Sequence, residues 1–155
     1  MYNRMNYIEA LTIITVLLTF CYASVLDVKT RYIPFKVWYP MIVICTILTT
    51  ISIILYHDIS TILLSLFLVT IFYILGIFNI FHGADVWAFS WIFIFVVIPF
   101  NLGIAEIISI ILQAGIIGII TCVLIYVKKK KWDSIPFIPS ITASLIYFFA
   151  FGTPL

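Results

Sequence analysis

Charge is what this sequence lacks. Of its 155 residues only 9% are Asp, Glu, Lys or Arg, against 65% hydrophobic, and the mean hydropathy is +1.30. A water-soluble domain cannot cover its surface with so few charges. That excludes the class and leaves an integral membrane protein. The chain is also too short and too continuously apolar to hold a separate soluble domain, so one membrane domain over residues 1–155 is expected. Cysteine is scarce as well. Cys21, Cys45 and Cys122 all fall inside apolar segments, with no CxxC or Cys/His spacing. They read as small hydrophobes, neither disulfides nor metal ligands, and no cofactor is implied. The formal charge of +2 carries no signal for nucleic acid, because the basic residues cluster beside apolar runs, where they fix orientation.

What is there is a succession of apolar runs. A crossing of the hydrocarbon core takes about 20 apolar residues. That length gives six candidates, over residues 8–26, 37–56, 60–80, 86–100, 103–127 and 136–152. Long unalternating Ile/Leu/Phe runs suit helices rather than barrel strands, because every backbone amide in lipid must be satisfied internally. The first run, "MYNRMNYIEALTIITVLLTFCYASVL", has the basic start of a signal peptide. It is close to bilayer length and lacks a small-x-small exit, so a retained helix is expected. The fold class is therefore an all-α integral membrane protein with six transmembrane helices.

Orientation follows from the loops. Lys29, Arg31 and Lys36 lie between the first two runs, and Lys128, Lys129, Lys130 and Lys131 between the last two. The loops "YHDIS" and "PFNLG" carry no Lys or Arg, and Arg4 dissents, partly offset by Glu9. The positive-inside rule then makes the basic side cytoplasmic and sets both termini outside. The lysine run also suits anionic lipid headgroups.

On that topology Asp27 and Asp85 reach the same face, as does Asp133, which lies in no motif. Asp27 closes the first run in "YASVLDVKTRYIPF", and Asp85 opens the fourth in "FHGADVWAF". Two nearby carboxyl groups cannot both ionise cheaply, so one keeps its proton while the other acts as base. That division lets one activate a water and the other polarise a carbonyl. Arg31 stands four residues after Asp27 and favours its ionised form if the helix persists, while Pro34 limits how far it can. Asp85 lies near a helix N-terminus, whose dipole also favours negative charge. The residues alone leave base and acid unassigned. Each acid also has a plain alternative role as interfacial anchor or cap.

The two motifs resemble those of the type IV prepilin peptidases, and especially the short archaeal preflagellin (archaellin) peptidases. The first family motif is close to D-x-x-x-R-x-I-P-N. Here Asp27, Arg31, Ile33 and Pro34 match, with Phe35 in place of Asn and Trp38 shortly after. The second ends G-x-G-D or G-G-A-D. Here "HGAD" supplies Gly83, Ala84 and Asp85, with His82 where the first glycine stands. Trp87 occupies a position at which relatives often carry Lys. The last run, "IPFIPSITASLIYFFAFG", is similar to the family's Pro-Phe-rich final helix. The resemblance implies a GxGD-type aspartic endopeptidase with Asp27 and Asp85 as its catalytic pair, supported by Arg31 and Gly83. It further implies removal of a short basic leader from pilin- or archaellin-like precursors on the cytoplasmic side of the cell membrane. No metal is implied, and no N-methyltransferase activity, since the cysteine-rich portion of the bifunctional relatives is missing.

Other residues carry less. Asp133 partners the lysine run or receives a leader's positive charge, Glu106 falls near the outer face, and His57 and Asp58 form an outer loop. Ala114 and Gly118, four apart with Gly115 adjacent, suggest close helix packing, as does Gly76. Trp38 and Trp132 lie where aromatic belt residues do. Two rival functions share the pattern: a small ion- or proton-coupled transporter using the edge carboxylates, and a non-catalytic scaffold subunit.

Overall fold

The computed structural model describes residues 7–56, 59–78, 83–129 and 137–151. The described residues are almost wholly helical. Helix α1 runs Tyr7–Thr30 and α3 runs Ile59–Ile77; α2, Tyr39–Tyr56, is preceded by a 3-10 turn at Phe35–Trp38. Helix α4 covers Gly83–Phe100, α5 is Ile104–Lys129 and α6 is Ile138–Phe151. The first five are long and apolar enough to cross a membrane. The sixth expected run forms a helix of 14 residues, which at about 1.5 Å per residue is roughly 21 Å long.

Outward faces explain the composition. On α1, Leu11, Ile14, Leu18, Tyr22 and Val25 are exposed at helical spacing. In water such a stripe would drive aggregation, whereas lipid solvates it. The hydroxyls hide within their own helices. Thr12, Thr50, Thr70 and Thr121 each donate to the carbonyl four residues back, at 2.8 Å. A polar side chain thereby satisfies itself where no water is available.

The described chain clusters into two compact units. The first holds the beginning of α1, up to Thr19, with α2, α3 and α4. Helix α4 is its centre: 56% of its residues are buried, against 17% of an 18-residue stretch of α3. Phe72 of α3 packs on Phe89 and Phe93 of α4, with ring centroids 4.5 and 5.2 Å apart. At Gly76 the two helices come closer still, for a Cβ there would lie 2.7 Å from Val86 Cγ2. The packing role expected of Gly76 holds. Trp38, expected at a membrane interface, is instead 1% exposed, beside fully buried Met41 and Cys45; its ring serves packing.

Helix α4 contains Pro99, which has no N–H and whose ring would collide with the carbonyl four residues back. The chain widens to a π turn over Phe93–Val97, which loosens the ladder just ahead of the ring. The helix then stops at Asn101, whose backbone is left-handed (φ 49°). Its amide donates to Ile98 and that of Leu102 to Val97, at 3.2 and 3.1 Å. This is a Schellman ending, with Asn where Gly is usual. The Asn101 Oδ1 accepts the Thr61 hydroxyl at the start of α3.

The second unit holds α1 from Phe20, with α5 and α6. Helices α5 and α6 pack along their lengths, burying Ile107, Ile110 and Ala114 on one and Ile138, Ile141 and Leu145 on the other. A Cβ at Gly118 would stand 2.9 Å from Phe137 Cε2. Ala114 and Gly118 are therefore part of the tight face, while Gly115 has nothing within 4 Å. The Ser144 hydroxyl reaches across to the Ile110 carbonyl at 2.8 Å. Lipid tails are as apolar as Leu, so such contacts and close packing, rather than exclusion of water, hold the helices; one interhelical hydrogen bond adds about 0.6 kcal/mol.

Candidate functional site

Asp27 lies in the second unit and Asp85 in the first. Asp27 occupies the last turn of α1, which extends past the expected residue 26 to Thr30. Hydropathy did not mark this end, because capping geometry sets it. Arg31 turns left-handed (φ 57°) and its amide donates to the Asp27 carbonyl at 3.1 Å, an αL ending. The Thr30 hydroxyl accepts the Tyr32 amide at 3.2 Å and lies 2.9 Å from the Leu26 carbonyl. The helix thus ends four residues before Pro34, with Arg31 exposed. Arg31 is tied to Asp27 through the backbone rather than by continuing the helix.

The Asp27 carboxylate is half-buried, and its Oδ2 accepts the amide of Ile138, the first residue of α6, at 3.3 Å. Helix α6 needs such a partner. Phe137 precedes it and has no side-chain acceptor, so it cannot cap the helix as Ser or Asp would. Its carbonyl takes the amides of Ser140 and Ile141, at 3.0 and 3.2 Å. Pro139 has no amide to satisfy. Ile138 is the remaining donor of that turn, and Asp27 supplies its acceptor from 111 residues away.

One turn along both helices is a second junction, which the sequence reading passed over. Ser24 Oγ and Thr142 Oγ1 are 2.7 Å apart. Ser24 also lies 2.7 Å from the Phe20 carbonyl, and Thr142 lies 2.9 Å from that of Ile138 and 3.2 Å from that of Phe20. The available signal was the cluster of hydroxyls in "PSITAS", on a run otherwise built of Ile, Leu and Phe.

Asp85 is the third residue of α4, in its first turn, and half-buried. The described part of α4 starts at Gly83, so the "GAD" residues are helical. Glycine and alanine had read as loop. Val86 turns inward onto Gly76, while a Cβ on Gly83 would meet nothing within 4 Å. Among the described residues, then, no facing helix requires Gly83; the space beside it is open. That space belongs to a mainly apolar cavity of about 450 Å³ between α3 and α4, lined by Tyr73, Gly76, Gly83, Val86, Trp87 and Trp91 among others.

Two of the three departures from the resembled motifs, Phe35 and Trp87, meet in this unit. Phe35 packs edge-on against Trp87, with centroids 5.2 Å apart, and against Tyr39 at 5.5 Å. Trp87, Trp91 and Phe95 then stack at four-residue intervals down α4, 5.6 and 5.4 Å apart. Aromatic packing therefore joins Phe35 to α4. His82, His57, Asp58, Trp132 and Asp133, with Arg4, Lys130 and Lys131, lie outside the described residues. Glu106 sits in the first turn of α5.

Both carboxylates share one kind of setting: the electropositive first turn of an apolar helix, Asp85 on its own helix and Asp27 on α6. Such a carboxyl group can take or give a proton at the edge of an apolar medium. No protein-family model matches this chain, nor does any curated protein or solved structure.

Proposed function

We propose that the protein is a membrane-embedded aspartic endopeptidase that removes the short basic leader of pilin- or archaellin-like precursors. The observation that carries this reading is that Asp27 and Asp85, in motifs resembling those of the prepilin peptidases, each lie half-buried at the first turn of an apolar helix. In this topology α6 is the sixth crossing, both termini are outside, and the acids work at the cytoplasmic face of the cell membrane, where Lys29, Arg31 and Lys36 also lie. One carboxylate takes a proton from water as the water oxygen bonds to the scissile carbonyl carbon. The other, protonated, donates to the carbonyl oxygen. Collapse of the tetrahedral species breaks the C–N bond, and the leaving amine takes up a proton from a carboxyl group. The products are a free leader and a shortened precursor.

The Asp27–Ile138 contact favours a second reading, a non-catalytic bundle in which Asp27 is a cap. The two separate cleanly, because Asn caps a helix about as well as Asp but cannot exchange a proton with water. Purified protein in detergent is mixed with a panel of precursors, alongside Asp27→Asn and Asp85→Asn. The peptidase reading expects cleavage at the leader boundary by the parent chain and by neither variant, with folding retained. Undiminished cleavage by either variant would refute the pair.

A further inference from the structure

We infer that Ser24 and Thr142 form a clamp that positions the Asp27 carboxylate on the first turn of α6. Its catalytic consequence rests on the peptidase reading above; the clamp itself does not. Helices α1 and α6 are joined at two levels, one turn apart on each. Ser24 precedes Asp27 by three residues and Thr142 follows Ile138 by four, so each helix presents both groups on one face. The two levels differ in strength. The Asp27–Ile138 bond, at 3.3 Å, exceeds the usual 2.9–3.0 Å for N–H···O, whereas the hydroxyl contact, at 2.7 Å, has the usual O–H···O length. A long bond cannot set the spacing of two helices against a short one. The hydroxyls fix the distance, and the carboxylate lies where that distance puts it.

Accounting of protons supports the same order. The two hydroxyl protons are shared, and one makes the Ser24–Thr142 contact. The other goes to the Phe20 carbonyl when Thr142 donates to Ser24, or to the Ile138 or Phe20 carbonyl when Ser24 donates to Thr142. Thr142 is buried, 5% exposed, so no water substitutes for these partners. Its link to the Ile138 carbonyl joins the clamp to the very residue whose amide meets Asp27. The neighbouring α6 hydroxyl Ser144 turns instead to α5. Of these two α6 hydroxyls, Thr142 is the one that meets the end of α1.

The test compares Thr142→Val, which keeps shape and loses the hydroxyl, with Thr142→Ser, which keeps the hydroxyl. Ser24→Ala serves as an independent second variant. Each is assayed on a precursor that the parent chain cleaves. A misplaced reacting group costs up to about 100-fold, so kcat for Thr142→Val should fall by about 10- to 100-fold with KM little changed. The pH profile of kcat should move, because the carboxylate's surroundings change, and Thr142→Ser should restore both. Parent-like kcat with an unmoved profile in both Thr142→Val and Ser24→Ala overturns the inference. If the parent chain cleaves no precursor, the peptidase reading fails separately and amide exchange over residues 137–142 decides. Exchange about threefold faster or more in Thr142→Val, the effect of one interhelical bond, supports the clamp. Unchanged exchange overturns it.

Discussion

The closest approach between α3 and α4 gives a prediction whose size follows from the distances. Gly76→Ala adds a Cβ 2.7 Å from Val86 Cγ2 and 3.6 Å from its Cβ and Cγ1. Carbon atoms rest at about 3.5–4.0 Å, so the first contact falls roughly 1 Å short and the others are ordinary. The colliding atom is a branched methyl on a buried side chain (8% exposed), which cannot swing aside as the end of a Lys or Met could. Overpacking of this kind costs about 1–3 kcal/mol. Alanine returns about 1 kcal/mol through helix propensity, so the single variant nets a loss of roughly 0–2 kcal/mol, easily mistaken for no effect. The double-mutant cycle removes that ambiguity. Val86→Ala deletes both γ-methyls and leaves only the ordinary 3.6 Å contact. In that background Gly76→Ala should be neutral or stabilising, giving a coupling of about 1–3 kcal/mol. Unfolding in mixed SDS micelles, followed by tryptophan emission, measures all four corners, with Trp87 and Trp91 on the same helix as Val86. A coupling below about 0.5 kcal/mol, the range of ordinary additivity, would refute the claim that Gly76 sets the α3–α4 spacing.

Other outcomes follow from helix ends. Arg31 holds a left-handed backbone that costs an L-residue about 1–2 kcal/mol, so Arg31→Gly should raise unfolding stability by up to about 1 kcal/mol. On the peptidase reading the same variant should lower cleavage, since it removes the cation beside Asp27; faster or unchanged cleavage would deny Arg31 a part in the reaction. At the end of α4, Asn101→Gly keeps the turn and loses only the Thr61 contact. Asn101→Ala forces a Cβ into left-handed backbone. The alanine variant should unfold at lower denaturant by about 1 kcal/mol relative to the glycine variant.

The course of the helices was legible in run length, because lipid asks one thing of a segment: about 20 apolar residues. Helices α2 and α5 fall within two residues of the ranges read from the sequence. Ends were less legible where backbone geometry overrides hydropathy. The left-handed turn at Arg31 places Asp27 inside α1, and Gly83 and Ala84, expected as loop, are helical. The 14-residue length of α6 reflects the same limit, since "IPFIPS" gave apolar character without showing where the helix starts. At the candidate site the two acids stand out because charge is so rare. Their partners do not. The amide that meets Asp27 is a backbone group that any residue could supply, and its distance along the chain hides it from any local pattern. Ser24 and Thr142 resemble the many hydroxyls that merely bond their own helix. Phe35 and Trp87 were each noticed as substitutions, yet nothing in either segment said that the rings touch.

The capping of α6 by Asp27 also has a temporal side. The acceptor leaves the ribosome 111 residues before its donor, a wait of roughly 6–22 s at about 5–20 residues per second. During that interval α1 can enter the bilayer, but its final turn has not met the helix it completes. On the peptidase reading, the Asp27 carboxylate takes its place against the first turn of α6 only once α6 is made and docked.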